Sequence, residues 1–314
     1  MRQGYGFSHA KIILIGEHAV VYGQPAIALP LPSVKLTVTM QQTTQQAQLL
    51  HSRYYDGPLD RAMAQLTGIQ KLIQALLRHF QQPNESFELT IESDLPAERG
   101  MGSSAATAIG IIRCFYDYFK TKLPTQTLLN WADFSEKIIH GKPSGLDAAT
   151  ASAKTPIWFV KGQMPYELQF KTKGYLVIAD SGIKGRTSTA VALVRQELTD
   201  APIIFKPKIA KLGQLTTAVK ANLAQGDLKA LGQNLTLAQQ QLKDLGVSSK
   251  ALDRLIQVAL THGALGAKLT GGGQGGCLLA LAPDLATAEN LQQALSAAGA
   301  IDTWRQPLAE INHT

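Results

Sequence analysis

The chain has 314 residues, of which 45% are hydrophobic and 17% charged, with 30 Lys and Arg against 23 Asp and Glu for a formal charge of +7. This length accommodates two domains, and the composition is that of an ordinary globular protein. The basic excess favours anionic small molecules but forms no polybasic run, which argues against a nucleic-acid partner. No apolar stretch reaches membrane-spanning length, and the N-terminus lacks a signal-peptide core, so a cytoplasmic enzyme or binding protein with no membrane partner is expected.

In chain order, AKIILI (10–15) predicts a short buried strand that stops at Gly16. VKLTVTM (34–40) and FELTI (87–91) alternate with period two and predict half-buried strands. The polar tract QQTTQQAQ (41–48) predicts an exposed excursion between strands. QLTGIQKLIQALLRHF (65–80) repeats its apolar residues at helical spacing. Helical spacing returns in AATAIGIIRCFYDYF and in LLNWADFSEKIIH (128–140), the latter with Leu128, Trp131, Ser135 and Ile138 turned inward. GYLVIAD (174–180) predicts a strand, and 188–197, 206–224, 229–243 and 249–262 predict amphipathic helices. AKLTGGGQGGCLLALA predicts a glycine turn entering an apolar strand, and LATAENLQQALSAAG a late helix. Cys114 and Cys277 fall at apolar positions and read as buried thiols, with no disulfide or metal spacing. The pattern predicts an α+β protein whose two domains divide near 165–185, taken as 1–172 and 173–314.

Three small-residue loops border regular elements: IGEHAVVYG, GMGSSA and TGGGQGG. None matches the usual nucleotide phosphate loop or the dinucleotide fingerprint. PAERGMGSSAATAIG (96–110) aims a flexible backbone at a helix start. Free helix-terminal amides there could hold a phosphate, or the stretch could be a tight turn with a serine cap. Ser103 or Ser104 could likewise cap the helix or ligate Mg²⁺. Glu136 is a surface carboxylate or a metal ligand. The constrained loop HGKPSGLD (140–147) presents Asp147, which suits a general base for an alcohol. Lys11 interrupts an apolar strand, so it lies at an exposed edge or is paired, with Asp147 as the functional partner.

Taken together, AKIILIGEHAVVYG, GMGSSAATA, HGKPSGLD and KLTGGGQGGC resemble, in order and spacing, the signatures of the mevalonate kinases. These belong to the galactokinase–homoserine kinase–mevalonate kinase–phosphomevalonate kinase (GHMP) superfamily. Galactokinases typically carry Asp soon after GEH, where this chain has Val20. The resemblance implies a ribosomal protein S5 domain 2-like N-terminal domain, a ferredoxin-like C-terminal domain and an active site between them. It implies that Pro96, Glu98, Arg99, Gly100, Met101, Gly102, Ser103, Ser104 and Ala105 form the loop around the ATP phosphates. Asp147 matches the catalytic base and Lys11 the lysine beside it. Ser104 and Glu136 match the Mg²⁺ ligands, Glu17 and His18 line the substrate end, and Arg186 partners the substrate carboxylate. Gly271, Gly272 and Gly273 form the glycine motif that supports the phosphate loop. The implied activity is MgATP-dependent phosphorylation of mevalonate by a homodimer. Phosphomevalonate kinase is the alternative within the superfamily, and a non-catalytic binding protein is the alternative outside it.

Overall fold

The computed structural model of the chain describes residues 1–96, 99–140, 145–169, 171–185 and 187–312. They form two compact units. The first comprises Met1–Ala10, Val34–Leu95 and Gly102–Ser152, the second Lys11–Ser33, Pro96–Met101 and Ala153–Thr314. A single cut at 172 does not describe this division. Strand β1 (Gln3–Ile15) and strand β2 (Ala26–Gln42) are far longer than the six- and seven-residue strands that periodicity predicts, and each contributes to both units. A 17-residue strand runs on the order of 55 Å, longer than one small core needs, so its two ends serve different cores.

In the first unit, β3 (Gln48–Ser52) and β4 (Tyr55–Pro58) form a hairpin, followed by helix α1 (Thr67–His79) and strand β5 (Phe87–Ser93). β5 pairs antiparallel with β2 over Leu36–Gln42 and parallel with β3. The parallel pair requires a crossover, which α1 supplies. The polar tract is shorter than expected, because residues 41 and 42 still belong to β2 and only 43–47 form the excursion.

Helices α2 (Ser103–Tyr118), α3 (Thr125–His140) and α4 (Leu146–Ser152) pack on one another. α2 lays Ile109, Ile112 and Phe115 into the core, and Phe115 meets Phe87 of β5 edge to face at 6.1 Å. On α3, Leu128 and Ser135 are buried as expected, but Trp131 and Ile138 are only half-buried. Ala132 and Glu136 complete the buried stripe instead.

In the second unit, β6 (Ile157–Phe159) pairs with the start of β2, and β7 (Tyr166–Glu167) pairs with β6. β8 (Tyr175–Asp180) then leads into α5 (Thr187–Asp200), α6 (Pro202–Gln225), α7 (Leu228–Asp244) and α8 (Lys250–Thr261). The chain continues through β9 (Gly266–Leu269), β10 (Cys277–Ala282), α9 (Leu285–Ala297) and β11 (Asp302–Pro307). The sheet order β11-β8-β10-β9 is antiparallel throughout, which is the ferredoxin-like arrangement expected. β8, β9 and β10 are almost wholly buried, and helices cover the sheet.

Both cysteines are buried and free. Burial raises the Cys114 thiol pKa to about 12 and pushes that of Cys277 well up, so both are inert thiols. Among the described residues no helix is long and apolar enough to cross a membrane.

Candidate active site

Lys11 belongs to the second unit and is 2% exposed, between buried Ala10 and Ile12. The exposed-edge alternative therefore fails. Its backbone N–H donates to the Met101 carbonyl at 3.0 Å, which ties β1 to the end of the Pro96–Met101 segment. The glycine motif of the same unit lies against that segment. Gly100 and Gly271 have φ of +81° and +82°. A Cβ on Gly271 would stand 2.9 Å from the Gly100 Cα, and one on Gly100 would stand 3.0 Å from the Thr270 carbonyl oxygen. Any side chain at either position would separate the two backbones. Met101 is buried, so an unbranched apolar residue of leucine-like volume fits there. Glu98 and Arg186 lie outside the described residues.

Glu17 and His18, which the resemblance assigns to the substrate end, are both buried. Both are turned inward, because each finds its partner on the strand and turn that carry the glycine motif. The Glu17 carboxylate is 1% exposed and accepts a hydrogen bond from the Lys268 ammonium, which is fully buried. Lys268 also donates to the Leu269 carbonyl at 2.5 Å. One residue further, the Thr270 hydroxyl accepts the Ile13 N–H at 3.0 Å and donates to the Ile13 carbonyl at 2.9 Å. Burial raises the Glu17 pKa, with Lys268 acting against it, and lowers that of Lys268. Lys268 is missing from the residues singled out above, although AKLTGGG carries the same signal as Lys11: a lysine inside an apolar strand. The pairing also removes Glu17 as a free negative charge, leaving Asp147 as the carboxylate proposed to meet the substrate.

The His18 ring is 5% exposed, and its Nε2–H donates to the Gly272 carbonyl at 3.0 Å. Its Nδ1 is buried with no hydrogen-bond partner among the described residues, as suits a neutral ring. Burial is the main cause that moves its pKa from 6.5 down to about 4, while the bond to Gly272 works the other way. Since the folded pKa is the lower one, the unfolded chain binds more protons between the two values. The contribution is therefore fully present above about pH 6.5 and is lost as the pH falls toward 4, in all about 3 kcal/mol. Denaturant titrations of the native chain and His18→Gln through this window check it. The variant is expected to lose the slope, and equal slopes would exclude His18 as its source.

Ser103, Ser104, Glu136 and Asp147 all belong to the first unit. Gly102, with φ of +75°, takes the position before α2 and supplies no side-chain cap, so Ser103 opens the helix instead of capping it. Ser103 and Ser104 are half-buried at the α2 N-terminus, and Ala105 packs into the core. Uncapped first-turn amides leave donors for an anion. Glu136 lies in the last turn of α3 and is 4% exposed, so it is not a surface carboxylate. Asp147 is half-buried in the first turn of α4 and not in a loop as expected. Residues 141–144 of the HGKPSGLD stretch lie outside the described residues.

A hydroxyl and a buried carboxylate are hard oxygen donors of the kind Mg²⁺ takes, and Mg²⁺ needs few of them when phosphates supply the rest. Among the described residues no group of three or more His, Cys, Asp or Glu side chains gathers that could hold a metal ion.

Residues 68–154 match the family described as GHMP kinases N terminal domain, and residues 219–301 match GHMP kinases C terminal. The mevalonate kinase of Thermococcus gammatolerans is 30% identical over 297 residues, covering 88% of each chain. A solved mevalonate kinase from methicillin-resistant Staphylococcus aureus MRSA252 is 32% identical, with a TM-score of 0.78 over 98% of this chain and 99% of that one. An L. major mevalonate kinase solved in complex with R-mevalonate is 25% identical, with a TM-score of 0.84 over 97% and 96%.

Proposed function

Since the chain belongs to the mevalonate kinase family of the GHMP kinases, we propose that it transfers the γ-phosphoryl group of ATP to the C5 hydroxyl of mevalonate, giving 5-phosphomevalonate and ADP. The structural observation that carries this reading is Lys11. It is a buried ammonium on a strand whose backbone is bonded to the glycine-serine segment.

The Pro96–Met101 segment and the first-turn amides of α2 bind the triphosphate, with Gly271, Gly272 and Gly273 backing the segment. Ser104 and Glu136 would hold Mg²⁺, which when bound would neutralise charge on the phosphates. Asp147 orients the C5 hydroxyl and accepts its proton as the oxygen bonds to the γ-phosphorus and the bond to ADP breaks. Lys11 supplies positive charge for the oxygens of the transferred group. Arg186 takes the mevalonate carboxylate.

Coupled ADP-release assays run separately with mevalonate, 5-phosphomevalonate, galactose and homoserine test the assignment. Turnover is expected with mevalonate. 5-Phosphomevalonate brings up to two further negative charges toward Asp147, and discrimination of about 10² or more in kcat/KM is expected. Equal efficiency, or a preference for the phosphorylated substrate, would favour a phosphomevalonate kinase instead.

Ser104→Ala and Glu136→Gln are expected to raise the Mg²⁺ concentration for half-maximal activity, since each removes an oxygen donor or its charge. A Mg²⁺ titration at fixed ATP measures this. Half-saturation unchanged in both variants would put the metal on other residues.

A further inference from the structure

Arg99 sits in the segment proposed to hold the nucleotide phosphates, yet its guanidinium is engaged within the second unit. Its Nε donates to Asp180 Oδ2 at 2.8 Å, and its Nη2 donates to the Gly182 carbonyl at 3.3 Å. The other Asp180 oxygen, Oδ1, accepts the Gly182 N–H at 2.9 Å. Asp180 is 1% exposed at the end of β8 and the Arg99 side chain 13% exposed, so this charge-assisted bond is partly shielded from water. The Arg99 backbone is held at the same place: its carbonyl accepts the Cys277 N–H at 3.2 Å. Cys277 opens β10 and is the cross-strand partner of Asp180. Side chain and main chain of Arg99 thus close on one pair of strand ends. Two residues on, the Met101 carbonyl is fixed by the Lys11 N–H.

We propose that Asp180 and Arg99 form a latch that holds the backbone of residues 99–101 in its nucleotide-binding shape. Asp180 is then a positioning residue for ATP. The latch assigns the Arg99 charge to Asp180 and not to a phosphate, with Nε and Nη2 engaged and Nη1 buried without a partner among the described residues. The nucleotide part of this inference rests on the kinase reading, whereas the latch itself rests on the geometry.

Asp180→Asn, Arg99→Met and the double variant test it by hydrogen exchange and steady-state kinetics. Amide exchange at Cys277 and Lys11 reports whether the Arg99 and Met101 carbonyls stay in place. A latch predicts exchange roughly tenfold faster at both amides in each single variant. It also predicts a KM for ATP raised about tenfold, with kcat and the KM for mevalonate little changed. The double variant should be no worse than the weaker single, because both remove one interaction.

A phosphate-binding Arg99 gives a different pattern. Asp180→Asn would free the guanidinium and leave the KM for ATP unchanged or lower, while Arg99→Met would raise it. That result overturns the proposal, as does native exchange at both amides in Asp180→Asn. Arg99→Lys keeps the charge pair and guards against loss of fold. It is expected to recover much of the exchange protection, and no recovery would overturn the ion-pair basis. If the native chain leaves mevalonate unphosphorylated, the functional reading fails while the exchange measurements still decide the latch.

Discussion

Asp147→Asn is expected to fold as the native chain does and to lose about a hundredfold or more in turnover at saturating mevalonate. Asp147 is half-buried in the first turn of α4, next to Leu146 and Ala148, which are buried. The amide has nearly the same shape as the carboxylate, so the packing of α4 on α2 and α3 has no steric reason to change. What disappears is the acceptor for the hydroxyl proton and the negative charge that orients the hydroxyl. Steady-state assays, with a thermal melt as the control for folding, decide the matter. Retention of more than about a third of native turnover would remove Asp147 from the role of base. A loss of about tenfold with an intact melt would assign it to orientation of the hydroxyl alone.

The second large effect is on stability. Lys268→Met is expected to cost about 3–5 kcal/mol, because it leaves the Glu17 carboxylate buried without its hydrogen-bonded cation, with only the weaker field of Lys11 remaining. Glu17 Oε2 already lacks a hydrogen-bond partner among the described residues, and burial already drives its pKa upward. The variant would have to protonate Glu17 or open the structure to water. Replacing both charges, in Glu17→Gln with Lys268→Met, is expected to recover most of the loss, since a neutral pair carries no desolvation penalty of that size. Equilibrium urea unfolding of the three proteins gives the comparison. A single variant within about 1 kcal/mol of the native chain would show that the pair does not hold the two segments together.

Local sequence determined much of this protein. Period-two alternation located the strands at 34–40 and 87–91, because a half-buried strand must alternate whatever it packs against. Helical spacing located α1 and the four helices between β8 and β9 for the same reason. A lysine inside an apolar strand singled out Lys11, since a buried charge is costly in any fold. The four short motifs carried the family, and at Gly100 and Gly271 a positive φ and the close approach of two backbones require glycine.

Tertiary structure decided the rest. Glu17 and Lys268 stand 251 residues apart in the chain, and Arg99 and Asp180 stand 81 apart, so no local pattern relates them. Whether Glu136 faced water depended on the packing of α2 and α4 against its helix, which turned a carboxylate of unremarkable local sequence inward. The length of β2, which contributes to both units, followed from its pairing with β6 at one end and with β5 at the other. Periodicity reports only which face of a segment is apolar. Partner choice is set by burial and by the pairing of charges that burial demands, and these exist only once distant segments have met.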